Sequence, residues 1–283
     1  MPELPEVETV ARGVDALVRG DRIVDVWFAS HREPFKTAAA RQARGLDGRS
    51  FLAVHRTGKH IVCELSEATP GKAGQNASGT PAAQWIVHLG MTGRLLVSTP
   101  DVPVARHTHA RLTLGSGREL RFVDPRRFGR LEFRDLTKVE GFSGPGAEPL
   151  TISGVDFAKL FRGRSLAIKA ALLNQTLLAG VGNIYADESL FRAGIRPRKA
   201  AGRLTRAELE RLRMALLEVL QHAIRLGGSS VSDYVDAEGS RGFFQLEHCV
   251  YQRTGEPCRR CATAIRRIVV GGRSTHYCPQ CQK

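Results

Sequence analysis

The chain has 283 residues, 42% of them hydrophobic, a formal net charge of +14 and a pI near 10.1. That is long enough for two domains with their own cores, and with no apolar run of about 18 residues a membrane-spanning helix is not expected. The start shows no basic stretch followed by an apolar one, so no signal peptide is read and a cytoplasmic protein is expected. Arginine greatly outnumbers lysine; such a surplus suits a polyanion, because forked guanidinium groups match phosphates. Six cysteines in such a chain point to metal or thiol roles rather than to a disulfide framework.

In chain order the first signal is MPELPEVE, Met1 to Glu8. Trimming Met1 would expose the secondary amine of Pro2. A free α-amine titrates about two to three units below lysine, so much of it is neutral and nucleophilic at physiological pH. A helix N-terminus beside it favours the neutral form further. Glu3 and Glu6 are carboxylates within a few residues, and an amine with a nearby carboxylate is what Schiff-base chemistry requires. The same residues also make an ordinary helix start, with proline and acids in the first turn.

Residues 5–19 read as a helix with Val7, Val10, Ala11, Val14, Leu17 and Val18 on one face, stopped by Gly20. From Ile23 to about Phe133 the period changes to two, through IVDVWF, FLAVHR, HIVCEL, WIVHLG, RLLVS, ARLTL, ELRFV and RLEF. Turn residues split these runs, as in an antiparallel sandwich or barrel. Residues 66–83 lack apolar periodicity and read as a loop. Within this half, HRTGKH puts Lys59 after Gly58 at a strand turn, exposed and within reach of a sugar-phosphate. HLGMTG puts Met91 at a second turn. DPRRFG puts Arg126 and Phe128 at a third, where a guanidinium and a ring side by side can fill the gap left by an extruded base.

Residues 136–151 hold Gly141, Gly144, Pro145, Gly146 and Pro149 and read as an interdomain linker. Helices are expected over 155–162, 165–178 and 184–193. The glycine-bearing turn AGVGN separates the last two, with Asn183 capping the second of them. Free N–H groups there suit a phosphate; a plain helical hairpin is the alternative. Thr205 to Glu208 is a capping box opening a long helix that ends at Gly227 and Gly228. Near the C-terminus Cys258-x2-Cys261 and Cys278-x2-Cys281 are two knuckles around a hairpin, the spacing of a structural four-thiolate zinc ribbon. Cys63 and Cys249 read as ordinary partly buried thiols. The segment from Arg241 on carries eight Lys or Arg against two Asp or Glu, a local net of +6, with Arg273 near the hairpin turn. A ribbon this basic suits nucleic acid.

MPELPEVE, HRTGKH, HLGMTG, DPRRFG, AGVGNIYADE and the four-cysteine ribbon occur together and in order across the chain. In this the chain resembles the formamidopyrimidine branch of the Fpg/Nei family of DNA repair glycosylases; the PELPE start is unlike the PEGPE of the endonuclease VIII branch. The resemblance implies an α+β protein. Residues 1–135 would be a catalytic β-sandwich with a flanking helix, and 136–151 the linker. Residues 152–245 would be a helix–two-turn–helix domain with a lesion-capping loop over 227–244, and 246–283 a zinc finger. DNA would lie in a cleft between the domains.

It implies a bifunctional glycosylase and AP lyase acting as a monomer in the bacterial cytoplasm, with the nucleoid. The substrate would be double-stranded DNA holding an oxidised purine, 8-oxoguanine or a formamidopyrimidine. Pro2 would be the nucleophile, Glu3 acid and base, and Lys59 a partner in base release and δ-elimination. Glu3, Lys59 and Arg273 would serve as proton donors. His88, Arg126, Asn183 and Arg273 would contact DNA, and Met91, Arg126 and Phe128 would fill the void. One structural Zn2+ would sit on Cys258, Cys261, Cys278 and Cys281. Thr92 departs from members that carry an acid there near the lesion, which leaves base contacts at that point open. The alternatives are an endonuclease VIII-like enzyme for oxidised pyrimidines and a non-catalytic zinc-ribbon DNA-binding protein.

Overall fold

The computed structural model describes residues 1–30, 35–68, 79–230 and 234–283. The 66–83 loop lies mostly outside the described residues, as do positions 231–233 of the 227–244 segment. Contacts divide the chain into two units, Met1–Ser143 with Ser229–Gly242, and Gly144–Gly228 with Phe243–Lys283.

The first unit opens with α1, Leu4–Val18, held by a capping box between Glu3 and Glu6 with proline in its first turn. Its valines at 7, 10, 14 and 18 are all buried. Gly20, at φ +80°, takes the left-handed conformation that ends it. Eight strands follow at the expected runs: β1 (Ile23–Phe28), β2 (Phe51–Thr57), β3 (His60–Leu65), β4 (Ala83–His88), β5 (Arg94–Ser98), β6 (Thr108–Leu114), β7 (Glu119–Val123) and β8 (Arg130–Asp135). They form two antiparallel sheets ordered β1-β6-β7-β5 and β2-β3-β4-β8. Inward residues of both, Leu112 and Phe122 of one and Ile61 and Trp85 of the other, share one core with the valines of α1.

One element departs from the expected all-strand reading. Residues Ala39–Leu46 form a helix, α2. It sends buried Gln42 into the sheet. The amide nitrogen donates to Thr37 O at 2.7 Å and Leu131 O at 3.3 Å, and the amide oxygen accepts from Trp85 Nε1 at 3.0 Å. The segment Ser229–Gly242 belongs to this unit although sequence reading put it in the helical domain. Tyr234 and Ala237 enter the core, and Val97 N donates to Ala237 O at 3.0 Å.

The second unit holds α3 (Gly154–Phe161), α4 (Ile168–Leu172), α5 (Asn183–Ala193), α6 (Arg206–Arg225) and the hairpin β9 (Arg266–Val270) and β10 (Arg273–Tyr277). The helix expected over 165–178 is only the five-residue α4. Past it, polar side chains outcompete the helix for backbone groups. Asn174 Oδ1 accepts from Thr176 N at 3.0 Å. Gln175 straps the following turn, donating to Leu173 O and Val181 O and accepting from Gly180 N. Among the described residues no helix is long and apolar enough to cross a membrane.

Gln42→Leu keeps the volume but leaves the Trp85 N–H and the Thr37 carbonyl without the amide they face. A buried polar group without a partner costs about 1–3 kcal/mol, so the variant is expected to unfold at lower denaturant with an unchanged slope. A midpoint equal to the parent's would show that the amide contributes nothing.

Candidate active site

Pro2 and Glu3 are both buried at the head of α1. Glu3 N donates to Glu6 Oε2 at 2.8 Å, the backbone half of the capping box. The other oxygen of Glu6 accepts from Ser229 N at 2.7 Å, and Tyr234 Oη donates to Glu6 O at 3.3 Å. One carboxylate thus joins the chain's start to the described part of the 227–244 segment. Burial, and then the nearby Glu6 carboxylate, push the Tyr234 phenol up from its ordinary pKa, so it stays a neutral donor.

Strand β2 lies along α1. Val54 N donates to Asp15 Oδ1 at 2.6 Å, and Arg56 Nε donates to Glu8 Oε2 at 2.8 Å. The strand therefore runs toward the N-terminal end of α1 and delivers the Gly58–Lys59 turn there. Gly58 has φ +60°, and Arg56 Nη1 braces its carbonyl at 3.1 Å. Lys59 was expected to be exposed; it is 8% exposed. A cationic group gathers at this end of the sheet. His88 pairs with His60 across β3 and β4, ring centroids 4.9 Å apart. Burial first, then His60, Lys59, Arg130 and Lys36, hold the His88 imidazole down to about 4. Its Nδ1 accepts from Gly90 N at 3.2 Å, which leaves Nε2–H free to donate as a neutral group.

Met91 and Phe128 are among the exposed large apolar residues, on the turns after β4 and β7. The Arg126 guanidinium lies 4.8 Å over the Phe128 ring. Thr92, whose side chain was left open, is buried and donates to Asp124 Oδ1 at 2.6 Å.

In the second unit Asn183 does not cap α5. Gly182 is the cap and Asn183 the first helical residue, its Oδ1 buried without a hydrogen-bond partner. Gly182 takes the cap position in extended backbone (φ −129°, ψ −161°) and has no side chain to cap with. Arg273 is exposed at the start of β10 after the Gly271–Gly272 turn. That hairpin is fixed to α5 by residues the sequence reading passed over. Lys169 and Asp187 form a fully buried ion pair at 2.7 Å; Lys169 Nζ also donates to Ser274 O, and Asp187 Oδ2 accepts from His276 N at 2.8 Å. Next to it Glu188 accepts from the backbone N–H groups of Cys249, Val250 and Tyr251. A lone lysine in the apolar run SLAIKAALL, and two acids in NIYADESLF, were the available signals.

The thiolate candidates Cys258, Cys261, Cys278 and Cys281 form no disulfide, and their sulfurs lie within 4.8 Å of one another. Zn–S bonds of about 2.3 Å in a tetrahedron need sulfurs about 3.8 Å apart. Separations of 3.9 Å for Cys258–Cys281 and 3.5 Å for Cys261–Cys278 fit one structural zinc ion. Arg260 N and Cys281 N point at Cys258 Sγ and Cys278 Sγ, the knuckle geometry the spacing called for. Cys63 is buried and Cys249 half-buried, and burial pushes both thiols up.

Three family models match in tandem. They are the formamidopyrimidine-DNA glycosylase N-terminal domain over residues 1–131, the formamidopyrimidine-DNA glycosylase H2TH domain over 145–235, and a zinc finger found in FPG and IleRS over 255–283. A formamidopyrimidine-DNA glycosylase of Solibacter usitatus is 46% identical over 284 residues, covering all of both chains. One from Burkholderia thailandensis is 44% identical over 295 residues with the same coverage. Among solved structures, a Lactococcus lactis FPG variant in complex with Fapy-dG-containing DNA superposes with a TM-score of 0.88 at 34% identity, covering all of both chains. The L. lactis protein with abasic-site DNA gives 0.86 at 35% identity and 99% of each chain.

His88 in the first unit and His248 in the second are both held down to about 4, chiefly by burial. The unfolded chain takes up their protons near pH 6.5 and the folded chain does not, so stability is full above that pH and falls as pH drops toward 4. Thermal melting is expected to fall between pH 6.5 and 5, where carboxylates stay charged, and His88→Asn should flatten that slope. An unchanged slope in the variant would remove His88 from the account.

Proposed function

The chain belongs to the formamidopyrimidine-DNA glycosylase family, and from that membership we propose that Pro2, Glu3 and Lys59 carry out its reaction. The protein is a DNA glycosylase that removes oxidised purines, with the AP lyase activity of its family. The observation that carries the residue assignment is the head of α1: Pro2 is buried there, its neighbour Glu3 is tied down by Glu6, and the Lys59 turn is led to the same end by the Arg56–Glu8 pair.

With Met1 removed, the Pro2 nitrogen is a secondary amine one residue from the positive end of a helix dipole, which favours its neutral, nucleophilic form. It attacks C1′ of the damaged nucleotide. The glycosidic bond breaks toward the base, which leaves with the bonding electrons and a proton. The C1′–N bond becomes an iminium after ring opening, with Glu3 passing protons at the sugar. The iminium acidifies the 2′ proton. Loss of that proton expels the 3′ phosphate, and a second elimination expels the 5′ one. A glycosylase that used water would stop at the abasic site; an amine nucleophile carries the reaction on to strand cleavage. Lys59 supports base release and the later elimination.

His88, Arg126, Asn183 and Arg273 contact the DNA in this reading. His88 offers a neutral N–H, and Asn183 lies in the first turn of α5, at the positive end of the helix dipole, which favours an anion. Met91, Arg126 and Phe128 fill the place of the extruded nucleotide. Arg273 joins Glu3 and Lys59 as proton donor. The labour divides as residues 1–135 catalytic, 136–151 linker, 152–245 helical apart from the lesion-capping Ser229–Gly242, which packs with the catalytic unit, and 246–283 metal-bound. The enzyme acts as a monomer on the nucleoid in a bacterial cytoplasm. Zinc holds the ribbon in shape and takes no part in the bond changes.

Borohydride added during reaction with an 8-oxoguanine duplex is expected to link protein and DNA through Pro2, and Pro2→Gly or N-terminal acetylation to abolish the link. Undiminished trapping after either change would refute the nucleophile. The substrate panel should include oxidised pyrimidines, since L. lactis FPG has been seen with DNA containing one; faster release of those than of 8-oxoguanine would favour the endonuclease VIII-like reading. Chelating the zinc is expected to weaken duplex binding more than nicking of bound DNA, as for a closed metal site. Equal loss of both would place the metal in the chemistry.

A further inference from the structure

Met91 and the Arg126–Phe128 pair sit on different turns, 89–93 between β4 and β5 and 124–129 between β7 and β8. One buried carboxylate joins the two. Asp124 is 0% exposed. Its Oδ1 accepts from Thr92 Oγ1 at 2.6 Å and from Arg126 N at 3.3 Å, and its Oδ2 accepts from Gly129 N at 2.7 Å. Arg126 N also lies 3.3 Å from Thr92 Oγ1. The Asp124 carbonyl accepts from His109 Nε2 at 2.9 Å. Among the described residues Thr92 supplies the one side-chain donor to this carboxylate.

The backbones of the two turns also touch. A Cβ on Gly90, at φ +65°, would meet Gly129 N at 2.5 Å. Arg127 holds φ +57°, a conformation that costs a residue with a side chain unless its surroundings impose it. The surroundings here are the Asp124 contacts on either side of it. A buried carboxylate tolerates few unmatched lone pairs, so both turns have to meet it in register.

We propose that Thr92 is a positioning residue for base extrusion. Its hydroxyl, through Asp124, locks the two turns together, so that Met91, Arg126 and Phe128 enter the helix as one preformed wedge instead of as two independent loops. The hydroxyl is consumed by that bond, and position 92 therefore reads no feature of the damaged base. The inference rests on the gap-filling reading of Met91, Arg126 and Phe128.

The test compares two substrates under single turnover: an 8-oxoguanine duplex, whose stack must be opened, and a single-stranded abasic site, which needs the same amine but no wedge. Thr92→Val keeps the shape and removes the donor. A small displacement of positioning groups can cost about a hundredfold, so duplex base release is expected to slow by about ten- to a hundredfold while abasic nicking stays within about twofold. The fluorescence rise of 2-aminopurine beside the lesion should slow in step. Thr92→Ser, which restores the hydroxyl, should recover the duplex rate. Thr92→Ala gives the same comparison should the valine variant melt below assay temperature. Normal duplex release by Thr92→Val, or equal slowing on both substrates, would overturn the proposal. Phe128→Ala separates the two assumptions: normal duplex release there overturns the gap-filling reading and the proposal with it. Slow release by Phe128→Ala beside normal release by Thr92→Val overturns the positioning role alone.

Discussion

A helix whose first turn is buried exposes N–H groups that water cannot reach, and they must find partners within the protein. The head of α1 meets that demand with Glu6. One oxygen takes the N–H of Glu3, the other the N–H of Ser229, 223 residues away in sequence. The consequence reaches beyond helix stability. The residue that follows Pro2 has its backbone fixed by a charge-assisted bond, and the 229–242 segment is tied to the same carboxylate. The first residues of a chain would otherwise be among its most mobile.

The second unit uses acids in the same way. Asp187 and Glu188 are consecutive on α5 and both are buried, yet they serve different segments. Asp187 takes Lys169 and the β10 backbone; Glu188 takes the 249–251 backbone that leads into the ribbon. Burial raises the Glu188 pKa even against three N–H donors. Breaking such a pair from one side leaves an unmatched buried charge, at a cost of about 3–5 kcal/mol. Asn183 at the start of α5 and Arg273 at the start of β10 thus belong to one braced frame.

The strands were legible because period-two runs bounded by Gly, Pro and Asp have few other readings. The zinc ribbon was legible because thiol spacing is covalent arithmetic. The α2 helix was not, since AARQARGL lies inside a β-rich stretch and its anchor, Gln42, gains meaning only from Trp85 and Leu131 far along the chain. The helix over 165–178 was overread because Leu172, Leu173 and Leu177 continue an apolar period across Asn174 and Gln175, whose side chains bind the backbone. Pro2, Glu3, Met91, Arg126, Phe128 and the four cysteines could be singled out from the sequence. What it hid was the support beneath them: the burial of Lys59, the Thr92–Asp124 bond, and the Lys169–Asp187 pair. Such contacts link distant positions, and no local pattern encodes them.

The net charge of +14 understates the surface. Glu3, Glu6, Glu119, Asp124, Asp187 and Glu188 are all buried, so their charges are spent on backbone amides and internal cations. Arg126 and Arg127 on the 124–129 turn, and Arg273 on the ribbon, are exposed and engaged in no ion pair among the described residues. Acids therefore stiffen the scaffold from within while guanidinium groups are left outside. A phosphate approaching that surface displaces water and counterions instead of a competing carboxylate, which concentrates the salt dependence of docking in the DNA's own ion atmosphere. The buried carboxylates have already fixed the backbone from which those cations extend.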